Sequence, residues 1–237
     1  MLKQLPKILL HHSMKAVIGN GLIGQHIQRI VEPDHVFTST NIDQLGDYDT
    51  VYCAAPTGNR IWVTQNEQQD LDNINNLIET IGQVEIRRFV LFSTCDTQIK
   101  PHSAYGKNRL CLETFVSSNY SDSTILRLPM IVHKTITKNI LWDIRNQSKW
   151  ANQINPNSTL QWFDLDQLSH VLDTQESILN ICSEPILCED IVQEFAPDLL
   201  DYLDYSQKGE SYNLEPYGYT KSEIFDSMKT YMKKNHK

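Results

Sequence analysis

The chain lacks any long apolar run: nothing in its 237 residues approaches the roughly 18 consecutive apolar residues that a membrane-spanning helix needs. It also lacks an excess of positive charge. Lys and Arg number 21 against 29 Asp and Glu, for a net charge of −8. Such a surface repels phosphate backbones and anionic headgroups, which sets nucleic-acid and membrane-surface binding aside. The basic end, Lys233-Lys234-Asn235-His236-Lys237, is too short to reverse this and reads as a solvated tail. Cysteine is scarce and unpaired in pattern. Cys53, Cys95, Cys111, Cys182 and Cys188 are odd in number, and no two stand as CxxC. Reduced thiols in a cytoplasmic protein fit this better than a disulfide frame or a zinc site, so no metal is expected. Repeats and low-complexity tracts are missing too, which excludes solenoids and collagen-like chains.

What is there is an ordinary globular composition, with 40% hydrophobic and 21% charged residues, long enough to bury a core without staples. Ile8-Leu9-Leu10 is too short for a secretory core, and Met14-Lys15-Ala16-Val17-Ile18 reads as a first strand. Residues 1–13 are therefore expected to be an extension outside the fold. Strands are expected at 16–18, 35–38, 49–55, 88–92 and 124–128, each an apolar or β-branched run. Helices are expected at 22–31, ended by Pro33, at 67–81, ended by Gly82, and at 105–119. This alternation predicts an α/β fold, a Rossmann-type doubly wound parallel sheet. Beyond 130 the pattern loosens. Residues 138–145, 166–172 and 221–233 read as helical, and 161–163 as a strand. The expected organisation is a dinucleotide-binding core over 14–130, with a small substrate lobe and C-terminal helix over 131–237, interleaved with the core.

Gly19-Asn20-Gly21-Leu22-Ile23-Gly24 is GxGxxG, placed directly after a strand and opening a helix. Gly19 permits the tight turn. Gly21, without a Cβ, lets the backbone approach a diphosphate. Gly24 lets the helix pack close to the strand. The free N–H groups at the helix start, from Leu22 and Ile23 onward, then face the phosphates with the positive end of the helix dipole. The second strand ends Thr38-Ser39-Thr40-Asn41, with no acid to hold a ribose 2′-hydroxyl and no Arg for a 2′-phosphate. Ser39 and Asn41 are the polar groups at that tip, so the cofactor is NAD or NADP.

With these residues in view, the chain resembles the extended branch of the short-chain dehydrogenase/reductase superfamily, the nucleotide-sugar epimerase and dehydratase group. The matching blocks run in order: the glycine loop, Asp49-Thr50-Val51-Tyr52-Cys53-Ala54-Ala55, Asp72-Asn73-Ile74-Asn75-Asn76-Leu77-Ile78, Arg88-Phe89-Val90-Leu91-Phe92-Ser93-Thr94, Tyr105-Gly106-Lys107-Asn108-Arg109 and Ile125-Leu126-Arg127-Leu128-Pro129. They span about residues 15–130. The chain looks most like a small subset carrying Tyr-Gly-x-x-Arg and a late block, here Gln161-Trp162-Phe163-Asp164-Leu165-Asp166-Gln167-Leu168.

The resemblance implies a mechanism. Tyr105 acts as acid or base on a substrate oxygen, Thr94, with Ser93 beside it, bonds the same oxygen, and a nicotinamide exchanges hydride with the carbon. It places Ala54, Ala55, Pro56, Leu128, Pro129, Tyr105 and Arg109 around the cofactor. It implies a small-molecule substrate such as a nucleotide sugar, and a homodimer paired through 67–81 and 105–119.

Two departures stand out. Four residues after Tyr105 the family's Lys is replaced by Arg109, which shares the helix face, whereas Lys107 points away. Arg109 supplies a permanent charge that favours a phenolate, whose ordinary pKa is near 10, but it cannot relay a proton. The loop 95–103 and the link 39–48 are both short, the latter omitting a helix–strand unit. A protein that binds dinucleotide as a sensor or scaffold without turnover fits these features as the alternative. In the plainer reading, Tyr105 packs on the sheet, Ser93-Thr94 ends a strand, Cys95 is an inert buried thiol, His102 is a surface loop residue, and Trp162 and Phe163 belong to the core.

Overall fold

The computed structural model describes residues 13–233, so the expected extension, apart from Ser13, lies outside the described residues. The core is built from β1 (Lys15–Ile18), α1 (Leu22–Val31), β2 (His35–Phe37), β3 (Tyr48–Cys53), α2 (Arg60–Gln65), α3 (Glu67–Ile81), β4 (Ile86–Thr94), α4 (Asp96–Ile99), α5 (Ala104–Asn119) and β5 (Ser123–Leu128). The sheet order is β2-β1-β3-β4-β5, closed by a sixth strand at Ile178–Asn180, and every pairing is parallel. The strand order reverses between β1 and β3. In open α/β sheets such a switch point leaves a crevice beyond the carboxyl ends of the strands, where ligands bind.

Two apolar layers hold the sheet. Val17, Val90, Phe92 and Leu126 face one side and bury Ile27 and Val31 of α1. Ile18, Val51, Phe89, Leu91 and Ile125 face the other, against Ile74, Leu77 and Ile81 of α3 and Leu112 and Val116 of α5. Alternate residues of one strand therefore serve opposite layers, as the two-residue period of a strand requires. α1 ends at Glu32 in the left-handed region (φ 46°), just before Pro33.

β2 is an edge strand, and only a short 3-10 turn, Ile42–Gln44, links it to β3. The omitted helix–strand unit expected from the sequence is thus absent there. Other boundaries differ from expectation. The segment 166–172 is a 3-10 helix at Leu165–His170, begun by Asp164, whose side chain accepts the Asp166 N–H. The loop 95–103 contains α4, and α2 occupies a stretch with too few apolar residues to show a helical stripe.

A third core, in the C-terminal part, joins Val132, Leu141, Trp162, Ile191, Val192, Ile224 and Met228. It gathers β6 (Met130–Val132), α6 (Ile140–Arg145), α7 (Cys188–Phe195) and α8 (Lys221–Met232) around the parallel pair of β6 and Trp162–Asp164. α8 starts with a capping box between Thr220 and Glu223. Among the described residues no helix is long and apolar enough to cross a membrane.

One buried ion pair ties α5 to β5. Arg127 donates to both carboxylate oxygens of Glu113, at 3.0 Å and 3.1 Å from Nε and 2.5 Å from Nη2, and both side chains are less than a tenth exposed. Removing one partner strands a buried charge. Glu113→Gln is expected to cost about 3–5 kcal/mol, read as a lowered midpoint in urea unfolding followed by circular dichroism.

Candidate active site at the carboxyl edge of the sheet

The glycine loop has a separate constraint at each glycine. Gly19 sits at φ +106°, in the left-handed region, and a Cβ there would stand 2.9 Å from the Ala54 carbonyl. A Cβ on Gly24 would lie 2.1 Å from the Gly19 carbonyl oxygen, so α1 can approach the end of β1 only with glycine at that position. Gly21 is different: a Cβ there meets nothing within 4 Å. Its space belongs to the crevice, not to the protein's own packing. The first turn of α1 has no side-chain cap and no acid, which leaves its amides and positive dipole end unanswered. Ala54, whose N–H donates to the Ile18 carbonyl at 2.7 Å, continues the rim from β3 through Ala55 and Pro56. Leu128 and Pro129 stand at the equivalent end of β5, where the Leu128 carbonyl accepts from Cys95 N–H at 3.2 Å.

At the tip of β2, Asn41 is occupied. Its Oδ1 accepts from Thr38 N at 2.7 Å, and its Nδ2 donates to the Val36 carbonyl at 3.2 Å. Ser39 is exposed in the turn.

Tyr105 lies in the first turn of α5, which Ser103 begins by accepting the Gly106 N–H at 3.0 Å. The Thr94 hydroxyl, at the end of β4, comes close enough to the Tyr105 phenol to help hold its pKa down, so these two sequence-predicted residues do meet. Ser93 points elsewhere: its hydroxyl donates to Glu113 Oε1 at 2.5 Å, joining the buried pair with Arg127. Neighbouring strand residues face opposite ways, and only one of the two hydroxyls reaches the phenol.

Arg109 is buried (4% exposed) and fully engaged. Its two Nη atoms fork onto Asp70 of α3, at 2.6 Å and 3.1 Å, and Nη2 also donates to the Thr57 carbonyl at 2.6 Å. The guanidinium stands 4.5 Å from the centre of the Tyr105 ring, over its face. The charge expected to favour the phenolate is therefore shared with Asp70. Burial raises the Tyr105 pKa above that of an ordinary phenol, Asp96 adds to the rise, and Arg109, Arg60 and the Thr94 bond only partly offset it. Tyr105 is a protonated phenol at neutral pH, suited to donate a proton.

The site includes residues that sequence reasoning missed. Asp96, 3% exposed, binds Arg60 Nε at 3.0 Å and accepts from the Tyr212 hydroxyl at 2.7 Å. Lys100 pairs with Glu210 beside them. Asp96 and Arg60 act electrostatically on the Tyr105 phenol, in opposite senses. Asp96 was visible as one more polar residue after Thr94, but Tyr212 comes from 116 positions along the chain and carried no local signal. Cys95 is buried with its Sγ 3.3 Å from Cys182 Sγ, and that bond and burial push its pKa well up. His102 is exposed. Trp162 and Phe163 are core residues, each 0% exposed.

No family model and no curated protein matches this chain. Solved structures do. They include TunA, an NAD-dependent NDP-hexosamine 5,6-dehydratase of tunicamycin biosynthesis, at a TM-score of 0.63 and 12% identity over 89% of this chain and 87% of that one. They also include a UDP-glucose 4-epimerase from Thermotoga maritima, at 0.60 and 11% identity over 89% and 92%. RMD from Pseudomonas aeruginosa, complexed with NADPH, matches at 0.59 and 12% identity over 92% and 93%. The chain shares the Rossmann-type fold of these structures. The fold runs through the C-terminal lobe as well, because the overlaps cover most of both chains.

Two outcomes test this geometry. Lys cannot reproduce the fork onto Asp70 and Thr57, so Arg109→Lys is expected to lower stability by about 1–3 kcal/mol, measured by urea unfolding. Two phenols with raised pKa values set an alkaline limit. Tyr105 is raised, and Tyr120 is pushed up to about 12 by burial. Their contribution to stability is complete below the unfolded pKa near 10 and is lost as pH rises through the higher folded values. Urea midpoints should fall above about pH 10. A midpoint that stays level from there to strong alkali would contradict the burial of these rings.

Proposed function

We propose that this protein is an NAD(P)-dependent oxidoreductase or epimerase-like enzyme acting on a nucleotide-linked sugar or a similar polyol, with Tyr105 as the general acid. The observation that carries it is the meeting of the Tyr105 phenol and the Thr94 hydroxyl beside a glycine loop that leaves open room at Gly21. The residues fit a dinucleotide. Gly19, Gly21 and Gly24, with the amides of Leu22 and Ile23, would hold the diphosphate. Ser39 and Asn41 lie toward the adenosine side. Ala54, Ala55, Pro56, Leu128 and Pro129 line the way to the nicotinamide end. When bound, the cofactor supplies or accepts hydride.

The chain's own residues do the rest. Tyr105 donates its proton to a substrate carbonyl oxygen, and Thr94 bonds that oxygen or the phenol. Arg109 stacks on the ring and fixes its angle, with Ser93 supporting from behind through Glu113. The raised pKa leaves the phenol protonated at rest, the state from which a carbonyl oxygen can be protonated during reduction. The fold likeness to proteins described with UDP-glucose, NAD and NADPH supports this choice of ligands. The reading includes a cytoplasmic homodimer formed through α3 and α5, which a monomeric mass by light scattering would remove.

A second reading rests on Arg109. A guanidinium tied to Asp70 neither reaches a ribose nor relays a proton, which suits a dinucleotide-binding sensor or scaffold without turnover. Tight cofactor binding with no turnover on a sugar-nucleotide panel would select it.

The decisive experiments use calorimetry and the absorbance of the reduced nicotinamide. Gly21→Ala has room in the folded protein, so its thermal midpoint should match the parent, while NAD(P) binding should weaken by on the order of tenfold or more. Unchanged affinity would remove the loop from cofactor binding. Tyr105→Phe should lower turnover by roughly two orders of magnitude or more, and undiminished turnover would strike Tyr105 from the chemistry.

A further inference from the structure

Away from that crevice, on the flank of α1 that faces the C-terminal lobe, three side chains converge from distant parts of the sequence. His26 comes from α1, His133 follows β6, and Asp166 lies in the 3-10 turn Leu165–His170. One donor atom from each lies within 4.8 Å of the other two. We propose that His26, His133 and Asp166 form a binding site for a divalent transition-metal ion of the zinc class, open on one side to the adjoining cleft.

His133 is 3% exposed, yet its Nε2 has no hydrogen-bond partner. That atom stands 3.4 Å from Asp166 Oδ1, too far and too poorly directed for a good hydrogen bond. Two ligands each about 2.0–2.1 Å from a tetrahedral ion are about 3.3–3.4 Å apart, so the separation suits a shared metal better than a shared proton. His26 Nδ1 is also buried without a partner. The two imidazoles meet edge to face, centroids 5.2 Å apart at 83°, so they are neither stacked nor bonded to each other. Buried nitrogens left unanswered in this way are rare and call for a ligand.

Thr135 touches the far side of the His133 ring. His133 Nδ1 lies 2.8 Å from the Thr135 hydroxyl. Metal binding at Nε2 takes the tautomer with Nδ1–H donating to that oxygen, which gives up the 3.3 Å bond that Nδ1 accepts from Thr135 N–H. The other tautomer, with Nδ1 accepting from Thr135 N at 3.3 Å, would leave a buried N–H on Nε2 without a well-formed bond.

The cleft beside the cluster, about 320 Å³, is bounded by His133, Asp164, Asp166, Asp226 and Ser227 among others. Its carboxylates outnumber Lys134 and favour a cation. Two imidazoles and a carboxylate are borderline donors of the kind zinc accepts, and three protein ligands leave a fourth position for water from the cleft. Bound there, the ion would clip α1, two residues beyond Gly24, to the C-terminal lobe.

The test is zinc titration of the full chain after stripping with chelator, read by competition with a chromophoric chelator and by thermal melting. One zinc ion per chain should bind and raise the melting temperature. Asp166→Asn, at a side chain 61% exposed, and His26→Gln should each weaken binding about tenfold or more and abolish the shift, with circular dichroism unchanged. No uptake at micromolar zinc would overturn the proposal. So would uptake undiminished in both variants, since that zinc would sit on other histidines such as His11, His12 or His236.

Discussion

The approach of α1 to the end of β1 is the contact on which the crevice depends. It leaves no room for a Cβ at Gly24, and it forces Gly19 into a conformation that costs other residues free energy. The consequence is a row of amides pointing out of the sheet at the switch point, without a side chain in front of them. The candidate active-site residues are arranged along that one edge: the rim after β3, the hydroxyl at the end of β4, the first turn of α5 and the end of β5. A sheet whose strands are all parallel can do this, because all carboxyl ends face the same way.

The second organising element is the pair of buried carboxylates on the α3 and α5 side. Asp70 holds Arg109, and Glu113 holds Arg127 and Ser93. Each carboxylate neutralises a guanidinium that burial would otherwise penalise heavily. The two pairs fix α5 against α3 and β5 while the apolar layer supplies the larger share of cohesion. They also decide what is left for chemistry. Of the polar residues marked in the sequence, Ser93 and Arg109 are committed to the frame, and Tyr105 and Thr94 remain at the crevice.

The sheet was legible in the sequence for a physical reason. Its strands are buried on both faces, so they read as apolar runs, and the residues that stop them, Gly19, Pro56 and Pro129, do so through backbone geometry. α1 and α3 match residue for residue because Pro33 and Gly82 end them and their apolar stripes are regular. The C-terminal lobe was far less legible. Its strands have two or three residues, its turns are 3-10, and its partners are remote, as when Gln161 bonds Ser183 and Leu214. The same limit applies to the site. GxGxxG announces itself locally, but the bonds from Tyr212 and Arg60 to Asp96, and from Asp70 to Arg109, exist only once the chain is folded.

Having Arg rather than Lys at position 109 has a consequence beyond the inability to relay a proton. A lysine ammonium is a compact charge that can approach a phenol oxygen. The guanidinium is broad and planar, prefers a carboxylate fork, and lies flat over an aromatic face. Here it does both, onto Asp70 and over the Tyr105 ring. Its positive charge is spent on the helix pair, and its contact with Tyr105 is with the π-face, leaving the oxygen to Thr94. Desolvation then dominates and the phenol keeps its proton. Under the proposed chemistry the site therefore starts from a protonated phenol, with Asp96 and Arg60 acting on it electrostatically in opposite senses.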